Sequence, residues 1–479
     1  MTEPVVVVIG GGLAGLASAV ALTEQGCRVH LLESRPRWGG RASSFVDHES
    51  GEAIDNCQHV AMGCCTNFLH FLETVGASSL FRVENELTFV SPDGRQTRFA
   101  ECALPAPGHL AFAFASLPYL NWNEKLRLAR AVLALARLRP DQARGRSCLD
   151  WLESQGQSEN VIHRVWEVLL ASALSESLDR IDLAYARKVI VDGFLAHRAG
   201  WRVSIPTVPL GEVYQPIVRW LEKRGARIDL RTRLSTLRCE DGRIRQVEAV
   251  NGEVIRGSDF ILAVPHHAVS NLLPEAVRED PVFKRVDQIE SAPISSVHLW
   301  YDRPLCELPH AVLVGRISQW LFSNWLMHDE GAVEQGFVHQ VVISASRHLR
   351  QLSQSETIEA VHQELRELFP GSDQATLLRG RVVTEHRAVF SATPGIDTRR
   401  PLQQSPVPNL QLAGDWTQTG WPSTMESAVR SGYLAAENIL RRHGIACSLL
   451  QPDLKPSFWS RWLLNLPRLP HPPQDAGAS

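Results

Sequence analysis

Two stretches near the amino terminus carry the residue types needed to hold a phosphate-bearing cofactor. Gly10, Gly12 and Gly15 have the spacing G-x-G-x-x-G, and Glu33 follows further on. In such a loop the first glycine permits a tight turn and the second lets a pyrophosphate approach backbone N–H groups. The third lets a helix pack on a strand. Leu13 and Ala14 would then stand in the first turn of the helix beside the phosphates, and Glu33 would accept from ribose hydroxyls. The second stretch, "ESRPRWGGRASSF", adds Ser34, Arg35, Arg37, Gly39, Gly40 and Arg41. A nicotinamide site needs none of these. A flavin site uses such a segment: the glycine pair brings a second backbone close to the pyrophosphate, and an arginine neutralises its charge through planar, multi-donor contacts.

The elements that must position these residues are legible around them. "VVVVIGGGLAGLASAVALTEQGCRVHLLE" reads as a buried strand, a glycine turn, a helix and a second strand, the βαβ context that the motif requires. From about Cys148 to Ala196 the pattern is helical, and a helix is predicted from about Leu210. Short strands follow, with turns at Asp241-Gly242 and Asn251-Gly252, and a buried strand at Phe260 to Val264 returns to the first sheet. Residues 266–384 read as mixed α/β, with a strand at "SSVHLWYD" and a helix across "SETIEAVHQELRELF". "NLQLAGDWTQTGWPSTMESAVRSGYLAAENILRR" gives a last strand, turn and long helix.

Length and composition fit this layout. A chain of 479 residues exceeds one ordinary core, and 44% apolar residues suffice for two or three lobes. A net charge of −3 with dispersed Lys and Arg gives no reason to expect nucleic acid as a partner. Nine cysteines without a CxxC pair, and no secretory leader pattern, predict reduced thiols in a cytoplasmic protein. No histidine spacing around Cys57, Cys64 and Cys65 suits zinc, so no metal is expected. The uncharged stretch from Cys102 to Asn123 is broken by Pro105, Pro107, Gly108 and Pro118, which predicts an inserted loop or tunnel wall rather than a spanning helix.

"GGGLAG", "ESRPRWGGRASSF" and "AGDW…STMESAVRSG" together resemble the FAD-dependent amine oxidase and phytoene desaturase superfamily. The resemblance implies an α/β fold: a discontinuous Rossmann-like FAD-binding domain (1–85, 205–265 and 385–445), a mixed α/β substrate domain with a helical membrane-facing segment (86–204 and 266–384), and a C-terminal tail (446–479). It also implies that Gly414 and Asp415 lie beside the pyrophosphate and ribityl chain, that Thr424, Met425 and Glu426 lie near the flavin, and that Leu234 of "TRLSTL" lies by the adenine. No cysteine falls between Gly414 and Arg430, so the FAD is expected to be non-covalent. The chain has no second G-x-G-x-x-G, so electrons are expected to pass through an external donor.

Within the superfamily, "DNCQHVAMGCCTNFLHFLETVG", "IPTVPLGEVY", "SSVHLWYDRP" and "FSATPG" resemble the squalene-associated branch, the hydroxysqualene dehydroxylases of bacterial hopanoid synthesis; Cys57 replaces that branch's glycine. The implied reaction removes the hydroxyl of an allylic triterpene alcohol and adds a hydride from reduced FAD, giving squalene. An acid for the leaving hydroxyl is then required, and His59 is the candidate, with Asp55 and Gln58 orienting it. Trp300, Trp320 and Trp421 are candidates for an aromatic wall that tolerates positive charge.

At about 0.8 kcal/mol per buried CH₂, exposing a chain of roughly thirty carbons to water would cost on the order of 20 kcal/mol. The isoprenoid must therefore enter from a membrane surface, which predicts a peripheral protein on the inner face of the cell membrane, with squalene-pathway synthases as candidate neighbours. "EKLRLARAVLALARLRP" (124–140) and "FWSRWLLNLPRL", with Arg461 and Arg468, have the basic and apolar composition for that contact. The rival readings are a carotenoid-type desaturase and a non-catalytic flavin-containing lipid carrier or scaffold.

Overall fold

The computed structural model describes residues 5–49, 51–327 and 336–466. Arg468 and the rest of the extreme tail lie outside the described residues.

The first strand, Val5–Ile9, is an uninterrupted β-branched run buried on both faces, as a central parallel strand requires. It pairs on one side with Arg28–Leu32 and on the other with Asp259–Leu262, placing Val7 beside both His30 and Phe260. Arg227–Asp229 and Leu410–Leu412 complete a five-stranded parallel sheet in the order 227–229, 28–32, 5–9, 259–262, 410–412. Helices Leu13–Glu24 and Met425–Arg442 pack on each other. Their closest approach is at Gly432, where an added Cβ would stand 2.4 Å from the Ala14 carbonyl oxygen. Widely separated segments thus build one nucleotide-binding layer. The predicted turns join an antiparallel ribbon of Leu234–Glu240, Arg243–Ala249 and Val254–Arg256.

A second, seven-stranded sheet runs in the order 377–390, 291–301, 337–344, 320–323, 310–313, 86–90, 96–100. In Ser291–Tyr301, alternate residues Val297, Leu299 and Tyr301 join the core beneath helix Gln354–Leu368. The opposite face carries Ser296, His298 and Trp300, and beside them Phe322 and Val342 contribute to an apolar cluster with Phe99, Trp201, Val60 and Trp320. Ala111–Ala115 and Glu167–Leu174 contribute Ala113 and Val168 to this cluster, whereas Trp122–Arg137 and Leu183–Lys188 pack into a separate apolar core through Leu128, Leu135 and Leu183. The stretch from Cys102 to Asn123 forms short turns of helix, among them Ala111–Ala115, as the prolines predict.

Among the described residues no helix is long and apolar enough to cross a membrane. Helix Phe458–Leu464 is docked, with Ser460 and Leu464 fully buried and the Ser460 hydroxyl donating to the Leu195 carbonyl at 2.7 Å.

Candidate active site

The two glycine segments of the sequence meet. Gly39 N–H donates to the Gly11 carbonyl at 2.9 Å, Gly12 and Gly39 form an isolated parallel bridge, and a Cβ on Gly40 would lie 3.3 Å from the Gly12 Cα. Gly39 has φ +96°, and a side chain there would strike the Tyr214 ring, so the sequence has little choice at that position. Gly15 is equally confined, since an added Cβ would sit 1.9 Å from the Gly10 carbonyl oxygen. Gly12 differs: among the described residues a Cβ added there would meet no atom within 4 Å, and no side chain caps the helix that starts at Leu13. That open cradle at a helix N-terminus, with Ala14 in its first turn, has the donor chemistry a pyrophosphate needs.

Glu33 closes the loop on its other side. One carboxylate oxygen accepts from Gly11 N–H at 2.7 Å, and the other accepts from Arg35 N–H at 2.7 Å and from the Ser34 hydroxyl at 3.1 Å. Thr232 N–H donates to the Glu33 carbonyl at 2.8 Å, which draws the start of the antiparallel ribbon and Leu234 alongside. The Arg35 side chain is exposed and reaches only the Gly40 carbonyl, at 3.3 Å.

Arg41 and Asp415, 374 residues apart, form an ion pair, and Arg41 also donates to the Ala388 carbonyl at 2.7 Å. Burial raises the Asp415 pKa, but the Arg41 charge and the Ser423 hydroxyl outweigh it and hold the carboxyl below its usual range. Gly414 N–H donates to the Ser431 hydroxyl at 2.8 Å, and the Thr424 hydroxyl caps the helix that begins at Met425. Arg41 directly follows the Gly39-Gly40 pair, so its ion pair ties the Gly-Asp loop to the second glycine segment.

Glu426 faces elsewhere. Its buried carboxylate accepts from the N–H groups of Asn67 (3.2 Å) and Phe68 (2.8 Å) and pairs with Arg430 at 3.1 Å. Its carboxylate therefore caps helix Thr66–Thr74, while its backbone stays in the first turn of the helix that begins at Met425.

The Asp55, Gln58 and His59 element separates into different roles. Asp55 is fully enclosed and accepts from the Ser44 hydroxyl and from Leu210 N–H (3.0 Å), fastening the helix Leu210–Glu222 to the hairpin 44–55. Burial pushes its pKa up to about 7, against the two hydrogen bonds. Because the folded value lies above the unfolded one, stability is fully present below about pH 4 and is lost as pH rises through 7. The Asp55→Asn variant of the apoprotein is therefore expected to have a flatter thermal midpoint between pH 5 and 8 than the wild type. Thermal melts across that range check this.

His59 Nδ1 lies 2.7 Å from the Cys57 carbonyl, which makes Nδ1 the protonated nitrogen and leaves Nε2 with its lone pair. Burial, with the Arg41 charge, pushes its pKa below the ordinary histidine value. With Nδ1–H given to Cys57, Nε2 is the nitrogen that can accept a proton, whereas the sequence reading casts His59 as an acid. Gln58 is buried with no hydrogen-bond partner for its Nε2. Burial and Asp55 push the Cys57 thiol up to about 12, so it stays protonated and fills space.

Two of the three expected wall tryptophans are already occupied. Trp300 donates to Glu52 at 3.0 Å and its face is covered by the Arg379 guanidinium at 4.5 Å. Trp421 carries Lys188 Nζ 4.2 Å from its ring centre. Only Trp320, stacked on Phe322 at 5.7 Å and donating to the Ser172 hydroxyl, packs against the apolar cluster.

Two residues had no sequence signal strong enough to single them out. Arg400 is 2% exposed, and its guanidinium donates to the carbonyls of Asp415 (3.1 Å), Trp416 (3.2 Å), Thr417 and Trp421 (3.0 Å), so it shapes the whole Gly-Asp loop. His266 opens the helix after the return strand, near Asp415 and Arg41, with Nε2 3.1 Å from the Ser291 hydroxyl.

A family model described as flavin containing amine oxidoreductase matches residues 13–440, which takes in Gly15, the second glycine segment and the Gly-Asp loop. The chain belongs to that family. It is accordingly an FAD-dependent oxidoreductase of the amine oxidase and desaturase superfamily. A 15-cis-phytoene desaturase from Solanum lycopersicum is 28% identical over 95% of this chain and 80% of its own length. The 15-cis-phytoene desaturase of Synechococcus elongatus is 26% identical, covering 91% of this chain and 96% of its own. An oxidoreductase from Methanosarcina mazei has the same fold, with a TM-score of 0.72 at 19% identity over 91% of this chain and 100% of its own.

Proposed function

We propose that this chain is an FAD-dependent oxidoreductase of a long, apolar isoprenoid, and that carotenoid-type desaturation is its direction of reaction. The observation that carries this reading is the placement of His59: its Nδ1 is held 2.7 Å from the Cys57 carbonyl, which leaves the Nε2 lone pair available, and its neighbour in sequence, Val60, packs against the apolar cluster of Phe99, Trp201, Phe322 and Trp320. The relatives named as phytoene desaturases over most of this chain's length support the same direction. FAD, when bound, supplies a hydride acceptor or donor. Gly12, Gly40 and the first turn of the helix would hold its pyrophosphate, Glu33 its ribose and Asp415 its ribityl chain, with no covalent link. The chain's own contribution is to exclude water, to lay the hydrocarbon along Trp320 and Phe322, and to accept a proton at His59 Nε2.

A second reading, loss of a hydroxyl from an allylic triterpene alcohol, is supported by a different observation. On the sheet face with the apolar cluster, the Gln340 amide donates to the Ser296 hydroxyl at 2.7 Å, and His298 Nε2 lies 3.3 Å from that hydroxyl. Gln340 Oε1 is fully buried without a partner. Unpaired polar capacity within an apolar wall suits an oxygen-bearing substrate better than a hydrocarbon.

One anaerobic experiment separates the two. Oxidised holoenzyme mixed with phytoene in detergent is expected to lose its flavin absorbance as a new double bond forms. If instead only the reduced holoenzyme reacts, turning hydroxysqualene into squalene as its flavin reoxidises, the second reading replaces the first. Silence in both, with flavin bound, would remove both and leave the carrier.

A further inference from the structure

The two segments that composition singled out for lipid contact are distant in sequence, yet the fold joins them. Arg137, in the last turn of Trp122–Arg137, donates to the Leu463 carbonyl of the tail helix at 3.0 Å. Lys125 Nζ donates to the Ala115 carbonyl at 2.6 Å, bringing in the helix Ala111–Ala115, and the Ser457 hydroxyl donates to the Ala106 carbonyl at 2.6 Å. Three short elements therefore form one continuous face.

That face is apolar on its outside. Trp122 is 73% exposed, Trp462 69% and Phe112 68%, with Phe458, Leu126 and Trp459 also exposed. An ordinary amphipathic core helix accounts for buried Leu128, Ala131 and Leu135 in Trp122–Arg137. It does not account for Trp122, Leu126 and Leu133, which at 3.6 residues per turn fall within about 40° of one another on the opposite, solvent side. In the tail helix the arrangement repeats. Ser460 and Leu464 anchor it inward while Phe458, Trp459 and Trp462 form an edge-to-face aromatic group outward.

Charge decides which partner fits. Lys125, Arg127, Arg130 and Arg137 lie on the longer helix and Arg461 on the tail helix. The one acid on these elements, Glu124, is engaged by Asn121 N–H, Ser158 and Asn160. Tryptophans flanked by uncompensated cations match the headgroup region of an anionic bilayer, where an indole can lie at the boundary and Arg can meet lipid phosphate.

We infer that Ala111–Ala115, Trp122–Arg137 and Phe458–Leu464 form a single docking face for an anionic lipid bilayer, from which the isoprenoid of the proposed reaction is drawn. The inference deepens that reading, but its test does not need turnover. Flavin-loaded full-length protein is sedimented with vesicles of phosphatidylcholine alone, and of phosphatidylcholine mixed equally with phosphatidylglycerol. The protein is expected to pellet with the mixed vesicles, with partition falling at least tenfold in Trp459→Ser/Trp462→Ser and in Trp122→Ser/Leu126→Ser. Arg130→Gln/Arg137→Gln should weaken binding to mixed vesicles only. Leu402→Ser, exposed but elsewhere, should bind as wild type. Wild-type protein left in the supernatant, or tryptophan variants that pellet unchanged, would overturn the inference. Concentration-dependent dimers in light scattering, abolished by the same variants, would reassign the face to a second copy. Partition without turnover would sink only the substrate reading, and turnover in detergent without partition only the docking face.

Discussion

Replacing Arg400 with alanine is expected to abolish flavin retention and to destabilise the protein by about 3–5 kcal/mol, the range for an uncompensated buried partner. The guanidinium is fully enclosed and stacks over Phe390 at 4.4 Å while donating to four carbonyls of the 415–421 loop. Without it those oxygens stay buried and lose their donor, and each such loss costs about 1–3 kcal/mol, less than additively. The loop also carries Asp415, so its collapse removes the partner of Arg41. Arg400→Lys is expected to rescue little, because one ammonium cannot reproduce a planar fork serving several carbonyls at once. Flavin content after gel filtration and the thermal midpoint of the apoprotein are the two readouts. A lysine variant that keeps its flavin would show that the loop needs only a charge.

The second large effect comes from two glycines three residues apart. Gly15→Ala places a methyl group 1.9 Å from the Gly10 carbonyl oxygen, a backbone atom that cannot swing away. The strand-turn-helix unit must then shift, at a cost of about 2 kcal/mol or more, as overpacked cores show. Gly12→Ala introduces the same methyl at φ −76°, where no protein atom lies within 4 Å. The apoprotein should keep its stability to within about 0.5 kcal/mol, as for an unstrained surface change. Flavin affinity should nevertheless fall on the order of tenfold or more, equivalent to at least about 1.4 kcal/mol. Titrating FAD into apoprotein beside a thermal melt tests the pair. If Gly12→Ala binds FAD as tightly as the wild type, the open cradle is not where the pyrophosphate sits.

Much of this was legible in the chain because the informative signals were local. The spacing of Gly10, Gly12 and Gly15 within a strand-turn-helix pattern determined the nucleotide layer, since tight turns and close helix-strand approach exclude side chains wherever they occur. The turns at Asp241-Gly242 and Asn251-Gly252 determined an antiparallel ribbon in the same way. Glu33 could be placed because a fixed-length βαβ unit brings it back to its own loop.

Tertiary structure alone decided what depends on distant partners. Arg41 is poised by an aspartate 374 residues away, and Arg400 serves a loop that its neighbours in sequence do not announce. Glu426, beside the flavin loop in sequence, turns instead to the N-terminus of another helix, because a buried carboxylate goes where unpaired N–H groups are. Trp300 and Trp421 read like free aromatic faces until Arg379 and Lys188 are seen to cover them. His59 has a proton-transfer side chain by composition, but its Nδ1–H is given to the Cys57 carbonyl, so Nε2 is the nitrogen left to accept. Residue type fixes what a group can do; its solvation and its partners, set by contacts between remote segments, fix which of those things it does.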